Sequence, residues 1–454
     1  MMTSDGLPFP RRWIAIAAIT CGNVIVMVDS VIANVALPTI ARSLKVDDAS
    51  VILIITIYQL ILLACVLPLS ALGDRIGQRR MFIAGQSLFA FATLLCLSAD
   101  DLPTLMAIRA LQALGAAASL AVSTALLRDV YPAAQLGRGL GFNTLAITMA
   151  LTSAPILGGA IISNADWTWL FVAELPLAAL ALLLAWWLPV RPRSSAPFDT
   201  VGAIWCAASL CLVGGGIDSL MHAGVQMLSL TAIAAGLVLG TLFLRRERHE
   251  ERPIFPVDLL RNPGISLSAV AAIAAYAASM VLILAMPFRL TGALHLSPAA
   301  IGRVLTGWPI GMMLLSPVAG ILSDRFSPRQ VGLSGAMLAV ASLTFVAMTS
   351  QDASALMVAW QLGLCGAAFG LFFAPNARLI IGETPRERTA SAGGLISTAR
   401  LSGQLLGASI TAALLRMGAT DGHVAGYVAA GLASVTLLCG IARLFMLNDR
   451  SAVA

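Results

Sequence analysis

The chain has 454 residues, of which 59% are hydrophobic and only 11% are charged. Soluble proteins carry roughly 25% charged residues, so this chain has too few charges to cover a globular surface in water. A water-soluble enzyme, a disordered chain and a collagen-like chain are therefore excluded, and an integral membrane protein remains. The 39 glycines and four tyrosines favour packed transmembrane helices over a barrel with aromatic girdles.

The hydrophobic segments divide the chain into membrane spans, each of which needs about 20 mostly apolar residues. Fourteen such segments follow one another, with mostly short connections and one longer, Arg- and Glu-rich stretch at 245–262. The sequence therefore predicts an all-α membrane protein without a separate soluble domain. The predicted spans lie near 13–37, 51–72, 81–99, 103–127, 138–162, 168–189, 200–218, 225–244, 266–288, 299–322, 331–350, 354–380, 393–415 and 424–446.

The distribution of basic residues predicts how these spans are oriented. With both termini on one side, that side holds 21 Arg residues, whereas the other side holds Arg42, Lys45, Arg289, Arg303 and Arg416. Loops rich in Lys and Arg remain in the cytoplasm. We therefore expect a multi-pass protein of the inner (plasma) membrane with both termini in the cytoplasm.

The sequence also contains an internal repeat. Residues 72–79 read LGDRIGQR, and residues 322–329, which lie 250 positions later, read LSDRFSPR. The copies follow the second and the tenth span, so two six-helix bundles separated by an inserted pair of helices explain the offset. Parallel halves of this kind are typical of transporters with a substrate site near the midplane. The predicted domains are 1–190 (N-terminal bundle), 191–262 (inserted pair and cytoplasmic linker) and 263–454 (C-terminal bundle).

Four motifs stand in order along the first half of the chain. They are DSVIANVALP at 29–38, SALGDRIGQRR at 70–80, Arg109 with Gln112 and Gly115, and Gly141 followed by Pro155, Gly158 and Gly159. Together they resemble the major facilitator superfamily, and within it the fourteen-helix drug:proton antiporters of the multidrug and quaternary ammonium efflux type. The sequence departs from that pattern at Ser70, Ala150 and Ala154, where the family has glycine. The resemblance implies the major facilitator fold, with two six-helix bundles, two inserted helices and fourteen transmembrane helices in all.

The loop motif carries candidate gating residues. A carboxylate and guanidinium groups in a short loop can latch neighbouring helix ends, and such a latch can break when the two halves move. The resemblance supports this role, whereas charge-based anchoring plus a tight turn at a glycine is the simpler alternative. The candidate gating residues are Asp74, Arg75, Gly77 and Arg79, with Asp324 and Arg325 as the weaker second copy.

Three ionisable residues are candidates for proton coupling. Asp29 lies in an apolar segment, where an ionised carboxylate costs roughly 2.5–3.5 kcal/mol. At about 1.5 Å per helical residue, Asp29 and Arg109 lie at compatible depths, so they could face one cavity and exchange a counter-ion for a proton or a cationic drug. A static ion pair between two helices is the alternative. Glu174, where the family usually has Asn, is either a second titrating acid or a hydrated residue at the cavity mouth, and Arg400 either tethers a helix or takes part in transport.

The fifth span carries a candidate hinge. Pro155 with Gly158 and Gly159 bends a helix and lets another helix approach closely, and the antiporter motif of the family extends this set to Gly141. Kinked packing without a transport role is the alternative. Aromatic rings and Met suit flat lipophilic cations. We expect the substrate-binding residues to include Asn34, Tyr58, Gln59, Gln112, Asn143, Trp308, Met312 and Trp360.

The resemblance implies a proton-coupled antiporter that exports lipophilic, cationic drugs or toxic compounds by alternating access. An exporter or permease for one metabolite, such as an amino acid or sugar derivative, is the alternative. The sequence has no GxxxxGK[ST] loop for ATP and no acid–base or nucleophile constellation, which disfavours an ATP-driven pump, a sensor or an enzyme. We expect a small-molecule substrate, protons and the lipid bilayer as partners, no nucleic acid, no metal or cofactor, and a monomer.

Overall fold

A computed structural model describes residues 6–132, 136–190, 199–247, 255, 257–350, 353–385, 388–419 and 422–451. Within these residues all regular secondary structure is helical. The long helices are α1 Arg11–Leu44, α2 Asp48–Ile76, α3 Gln78–Ser98, α4 Leu102–Val130, α5 Leu136–Asn164, α6 Trp169–Trp187, α7 Thr200–Ala223, α8 Met227–Glu247, α9 Pro263–Gly292, α10 Pro298–Arg325, α11 Pro328–Ala347, α12 Ala355–Gly382, α13 Thr389–Arg416 and α14 His423–Ser451.

Thirteen of these helices are long and apolar enough to cross a membrane. The other one, α13, has 28 residues and is therefore about 42 Å long, which exceeds the roughly 30 Å hydrocarbon core of a bilayer. It is less apolar because it contains Arg400, Gln404 and several Ser and Thr residues. The helices predicted from the hydrophobic segments are therefore confirmed, and the chain is a multi-pass membrane protein.

Successive helices run in alternating directions, so an even number of them brings both ends of the chain to one face of the membrane. We call this face the termini side and the other face the opposite side. The first helix extends beyond the predicted 13–37 as far as Leu44. It ends there because Lys45 adopts a left-handed backbone conformation with φ 54°.

The helices group into two bundles and a pair. Contacts within the first group are most extensive between α3 and α4, α2 and α4, and α1 and α5. In the second group they are most extensive between α10 and α12, α11 and α12, and α9 and both α13 and α14. The inserted helices α7 and α8 pack on each other, and α7 also contacts α2 and α13. The domain boundaries at 190 and 262 remain a prediction, because 191–198 lies outside the described residues.

Buried apolar side chains join the two bundles on the opposite side. One cluster there combines Leu37 and Ile40 of α1 with Leu284 and Phe288 of α9 and Leu415 of α13. On the termini side, two other clusters within the described part of the chain each draw their helical residues from a single bundle. Since burial of apolar surface is what holds the bundles together, the two bundles are closed against each other on the opposite side.

Candidate functional site

An ion pair lies inside the first bundle. Asp29 of α1 and Arg109 of α4 are both 0% exposed, and Arg109 Nη1 donates to Asp29 Oδ1 at 2.6 Å. Either charge alone would be costly in this environment, and a short charge-assisted hydrogen bond offsets part of that cost. The second carboxylate oxygen, Asp29 Oδ2, has no hydrogen-bond partner. This oxygen is therefore an unused acceptor inside the bundle.

Two amide- and hydroxyl-bearing side chains and two aromatic rings hold the guanidinium in place. Arg109 Nη1 also donates to Gln112 Oε1 at 2.6 Å, and Gln112 Nε2 donates to Thr93 Oγ1 of α3 at 2.8 Å. The rings of Tyr58 (α2) and Phe171 (α6) have their centroids 4.3 and 5.2 Å from the guanidinium carbon, which is cation–π distance. The sequence indicated Tyr58 and Gln112, whereas nothing in the motifs pointed to Thr93 or Phe171.

Glu174 is a second carboxyl group near this pair. It lies at a break in α6, just before Pro176, which cannot continue the hydrogen bonding of the preceding turn. Glu174 is 5% exposed, its two carboxyl oxygens have no hydrogen-bond partner, and it interacts electrostatically with both Asp29 and Arg109. A buried carboxylate needs a proton, a cation or a donor. Its burial favours a second titrating acid over a hydrated residue at the cavity mouth.

The structure thus brings together the three residues that the sequence proposed for proton coupling. Asp29, Arg109 and Glu174 come from α1, α4 and α6 of one bundle, and α1 packs on both other helices. Two buried carboxyl groups lie near a single guanidinium, but only Asp29 is hydrogen-bonded to it, so the acidic groups outnumber the basic group by one. Their role in proton coupling remains a prediction.

Three polar residues predicted to bind substrate lie on helices of the same bundle. Asn34 and Gln59 are buried, and each has a side-chain oxygen without a hydrogen-bond partner. Asn143 Oδ1 of α5 accepts a hydrogen bond from Asn23 Nδ2 of α1 at 3.2 Å. Buried amides with unused acceptors are candidates for ligand contacts, whereas Asn143 already serves to connect two helices.

The predicted lining residues of the second bundle fall into different environments. Trp308 is buried and packs on Phe369, with ring centroids 5.2 Å apart, and Met312 is half-buried on the same helix. Trp360 is 73% exposed on the surface of the bundle. Its exposure sets it apart from the buried Trp308, and its role in substrate binding remains a prediction.

Arg400 of α13 lies between the bundles at mid-helix. Its Nη1 contacts the sulfur of Met27 on α1 at 3.9 Å, and among the described residues no carboxylate pairs with it. One turn further along the same face, Gly403 packs on Tyr276 of α9, whose ring stacks on Phe373 at 4.0 Å. Met27, Tyr276, Phe373 and Arg400 are all partly exposed. They form a mixed aromatic and cationic surface between the bundles.

The hinge motif of α5 is a contact between the bundles. A Cβ added at Gly302 of α10 would lie 2.1 Å from the carbonyl oxygen of Pro155, and one added at Gly159 would lie 2.5 Å from the carbonyl oxygen of Pro298. The two backbones therefore touch directly, which only glycine permits. This close approach helps to close the two bundles against each other on the opposite side.

The other two glycines of this motif are placed differently. Gly158 faces α1, where an added Cβ would lie 3.1 Å from Ile32. Gly141 belongs to α5, but its surroundings lie outside what the structure describes. The motif thus combines a contact within the first bundle with a contact to the second.

The loop between α2 and α3 is not latched in this structure. Asp74 is exposed and accepts a hydrogen bond from Gln78 Nε2 at 3.1 Å, and it forms no ion pair with any described residue. Gly77 has φ 104°, a conformation that favours glycine, and it ends α2. The guanidinium of Arg79 lies 5.5 Å from the ring centroid of Trp186. The gating role of this loop remains a prediction.

The second copy of the loop motif is the one with an ion pair. Asp324 accepts from Arg378 Nη1 of α12 at 2.6 Å, and both side chains are more than half exposed. Arg75 and Arg325 are exposed in their respective loops. Exposed pairs of this kind usually contribute only about 0–1 kcal/mol to the free energy of unfolding.

A second buried aspartate lies on the inserted helix α7. Asp218 is 8% exposed, and its carboxylate accepts hydrogen bonds from Thr56 of α2 and Ser409 of α13, with His222 at ion-pair distance. None of the residues that the sequence predicted for transport lies on the inserted pair. The signal was the same as for Asp29, an acidic residue next to a long apolar segment.

Two six-helix bundles packed around buried ionisable residues are the architecture of a secondary transporter. The model of the Major Facilitator Superfamily matches residues 19–263 and 268–453, so the chain belongs to this superfamily of transporters, which are not enzymes. The chain is 38% identical to the uncharacterized transporter YebQ of Escherichia coli (strain K12), over 96% of each chain.

Other relatives are more distant. The riboflavin transporter RibZ of Clostridioides difficile (strain 630) is 26% identical over 92% of this chain and 93% of its own, and the multidrug resistance protein Stp of Mycobacterium tuberculosis is 26% identical over 87% and 74%. A solved POT family transporter in complex with 5-aminolevulinic acid has a TM-score of 0.71 at 13% identity, covering 97% of this chain and 98% of its own. This last likeness shows a shared fold.

Proposed function

We propose that the protein is a proton-coupled antiporter that exports lipophilic compounds, cationic drugs among them, across the inner (plasma) membrane by alternating access. The observation that supports this most directly is the group of Asp29, Glu174 and Arg109, in which two buried carboxyl groups lie within electrostatic reach of one guanidinium. The name of the relative Stp, a multidrug resistance protein, supports the same class of substrate.

The charge balance of this group provides a mechanism for exchange. With both carboxyl groups ionised, the group has one net negative charge, and with one proton bound it is neutral. Because a net charge is costly within the bilayer, a proton or a cationic substrate is needed to neutralise it. A bound proton neutralises the group and so removes the attraction for a cationic substrate, and a bound cation does the same for a proton. We therefore expect their binding to be mutually exclusive. Mutually exclusive binding is the requirement for antiport.

The orientation follows from the basic residues. We propose that the termini side, with its 21 Arg residues, is cytoplasmic. The carrier closed on the opposite side is then the state that takes up substrate from the cytoplasm. Protons that enter down their gradient drive the return, since one charge that crosses 100 mV releases roughly 2.3 kcal/mol.

The substrate-binding surface that we propose lies between the bundles. Tyr58 and Gln59 of α2 and Asn34 of α1 contribute from the first bundle, and Met312 and Trp308 of α10 contribute from the second. An aromatic ring and a flexible thioether adapt to flat lipophilic molecules of different shape. Such a surface suits broad rather than narrow selectivity.

Glu174→Gln tests the shared-proton mechanism. Because the Glu174 oxygens have no hydrogen-bond partner, the substitution breaks no hydrogen bond, and we expect normal abundance in the membrane. In everted vesicles with an imposed pH gradient, ethidium should no longer release protons. Asp100→Asn, which changes an exposed acid in the loop before α4, is the matched control and should behave as the wild type. Proton release by Glu174→Gln at the wild-type rate would show that the mechanism is wrong.

A second candidate function is export of one metabolite. Arg400 supports it, because a guanidinium without a described acidic partner, next to the stacked rings of Tyr276 and Phe373, suits a planar compound with an anionic or strongly polar group. The relative RibZ, a riboflavin transporter, is a protein of this kind. A resistance screen in a pump-deficient host with dyes, quaternary ammonium compounds and neutral antibiotics separates the two. A broad cationic profile supports drug export, and accumulation of one metabolite without resistance supports the second function.

A further inference from the structure

The carboxylate of Asp218 connects three separate parts of the protein. Its Oδ1 accepts from Ser409 Oγ of α13 at 2.6 Å, and its Oδ2 accepts from Thr56 Oγ1 of α2 at 3.2 Å. Helix α2 belongs to the first bundle, α13 belongs to the second, and α7 with Asp218 is inserted between them in the chain. One side chain therefore bridges both bundles.

The three residues lie at matching depths near the opposite side. At about 1.5 Å per residue, Asp218 is about 8 Å from the end of α7, Thr56 about 12 Å from the start of α2 and Ser409 about 10 Å from the end of α13. Apolar contacts continue the bridge toward the termini side. A Cβ at Gly214 of α7 would lie 2.6 Å from Leu60 of α2 and 2.9 Å from Leu405 of α13.

The polar part of this bridge depends on distance far more than the apolar part. A hydrogen bond is lost when donor and acceptor separate by about 1 Å beyond contact, whereas apolar side chains can slide and repack. Separation of α2 from α13 on the opposite side must therefore break the bond to Thr56 or the bond to Ser409. The carboxylate that remains is buried with one hydroxyl donor fewer, beside only the other hydroxyl and His222 of its own helix, which disfavours the separated state.

We propose that Asp218 is a positioning residue that stabilises the state closed on the opposite side, through what we call the Asp218 bridge, formed by Asp218, Thr56 and Ser409. The proposal rests on alternating access, which is part of the proposed function, but it requires neither proton coupling nor a particular substrate. The Asp218 bridge gives the inserted helix pair a role in the transport cycle, because α7 carries the acceptor whose two hydrogen bonds form only when the bundles are in contact.

The distance between the bundles on the opposite side is the direct measurement. In a cysteine-free background in nanodiscs, spin labels at Asp100, in the loop before α4, and Met417, just after α13, report this distance, since both positions are exposed. Asp218→Ala removes the common acceptor, and we expect it to raise the population of the long distance about tenfold, equivalent to 1.4 kcal/mol. Ser409→Ala removes one donor and should produce a smaller increase in the same direction.

Ser219→Ala is the matched control. Ser219 Oγ and Ser229 Oγ are 3.0 Å apart, so this hydroxyl on the same helix connects only α7 and α8. It should leave the distance distribution unchanged. Asp218→Asn keeps the size and part of the hydrogen bonding, so its effect should lie between those of the control and Asp218→Ala.

The outcomes separate this proposal from the proposed function. If Asp218→Ala and Ser409→Ala show the same distances as Ser219→Ala, the Asp218 bridge does not bias the conformation and the proposal is wrong. If Asp218→Ala does not fold, Ser409→Ala and Thr56→Ala still decide the question, because they remove single hydroxyls. If Asp218→Ala shows more of the long distance but the same ethidium-driven proton release per transport event as the wild type, the Asp218 bridge is supported. This result does not bear on the role of Glu174.

Discussion

Asp29 and Asp218 are both buried aspartates on long apolar helices, yet they are held in different ways. Asp29 pairs with a guanidinium at 2.6 Å, and its partner Arg109 belongs to the same bundle. Asp218 accepts from two hydroxyls that belong to different bundles, and its ion-pair neighbour His222 lies on its own helix. A bond within a rigid body survives when the bundles rock, whereas a bond between bodies does not. We therefore expect ion chemistry at Asp29 and conformational control at Asp218.

The largest expected effect comes from removal of the acid in the first bundle. Asp29→Asn leaves Arg109 buried without its partner, and loss of one member of a buried ion pair costs about 3–5 kcal/mol. We expect reduced membrane abundance and no proton-driven export in everted vesicles. Asp29→Glu should retain partial activity because it keeps the charge.

A double variant separates stability from coupling at this site. Asp29→Asn combined with Arg109→Gln removes both charges, so abundance should recover toward the wild type while substrate-induced proton release remains absent. If Asp29→Asn alone still dissipates the pH gradient on addition of substrate, Asp29 is not the coupling acid and Glu174 becomes the candidate.

A variant at the contact between α5 and α10 tests whether packing between the bundles controls the conformation without affecting ion chemistry. Gly302→Ala places a Cβ 2.1 Å from the carbonyl oxygen of Pro155, and overpacking of this kind costs about 1–3 kcal/mol. The population of the long Asp100–Met417 distance should rise about tenfold. Gly320→Ala on the same helix has no atom within 4 Å and is the control. Equal distances in the two variants would show that this contact does not hold the opposite side closed.

The termini-side loop should show a smaller effect of opposite sign on the conformation. Asp74→Asn keeps the shape and the hydrogen bond from Gln78, so the protein should fold normally. We expect a several-fold loss of transport, because the carboxylate is needed for a latch that this structure shows open. The population of the long Asp100–Met417 distance should fall in this variant, whereas it should rise in Asp218→Ala. Full transport by Asp74→Asn would reduce the loop to a topological anchor.

The smallest functional effect is expected from single cysteines introduced at the two ends of the inserted pair. Their labelling tests on which side of the membrane the Asp218 end of α7 lies. A cysteine at Val225, an exposed residue just after α7, should react with a membrane-impermeant reagent from outside the cell. A cysteine at Arg248, which lies outside the described residues, should react only from inside. Transport should be unchanged in both. Reaction of both positions from the same side would contradict the fourteen-span topology and the depth assigned to Asp218.

Sequence reasoning was most accurate where local composition decides the structure. A run of about 20 apolar residues has few alternatives to a membrane helix, so the number and order of helices were predictable. Boundaries were less accurate, as the extension of α1 to Leu44 shows, because helices continue beyond the hydrocarbon region until a local signal such as the Lys45 conformation ends them.

The sequence by itself determined the fold class, the fourteen helices and the candidacy of Asp29, Arg109 and Glu174, because a charge in an apolar segment is visible without any knowledge of packing. Only the tertiary structure decided which charges meet. It left Trp360 exposed and placed Asp218 between the bundles, although both stand in apolar helices of similar composition. Helix rotation and the choice of neighbours cause this difference, since they depend on contacts between residues far apart in the chain, such as Thr56, Asp218 and Ser409.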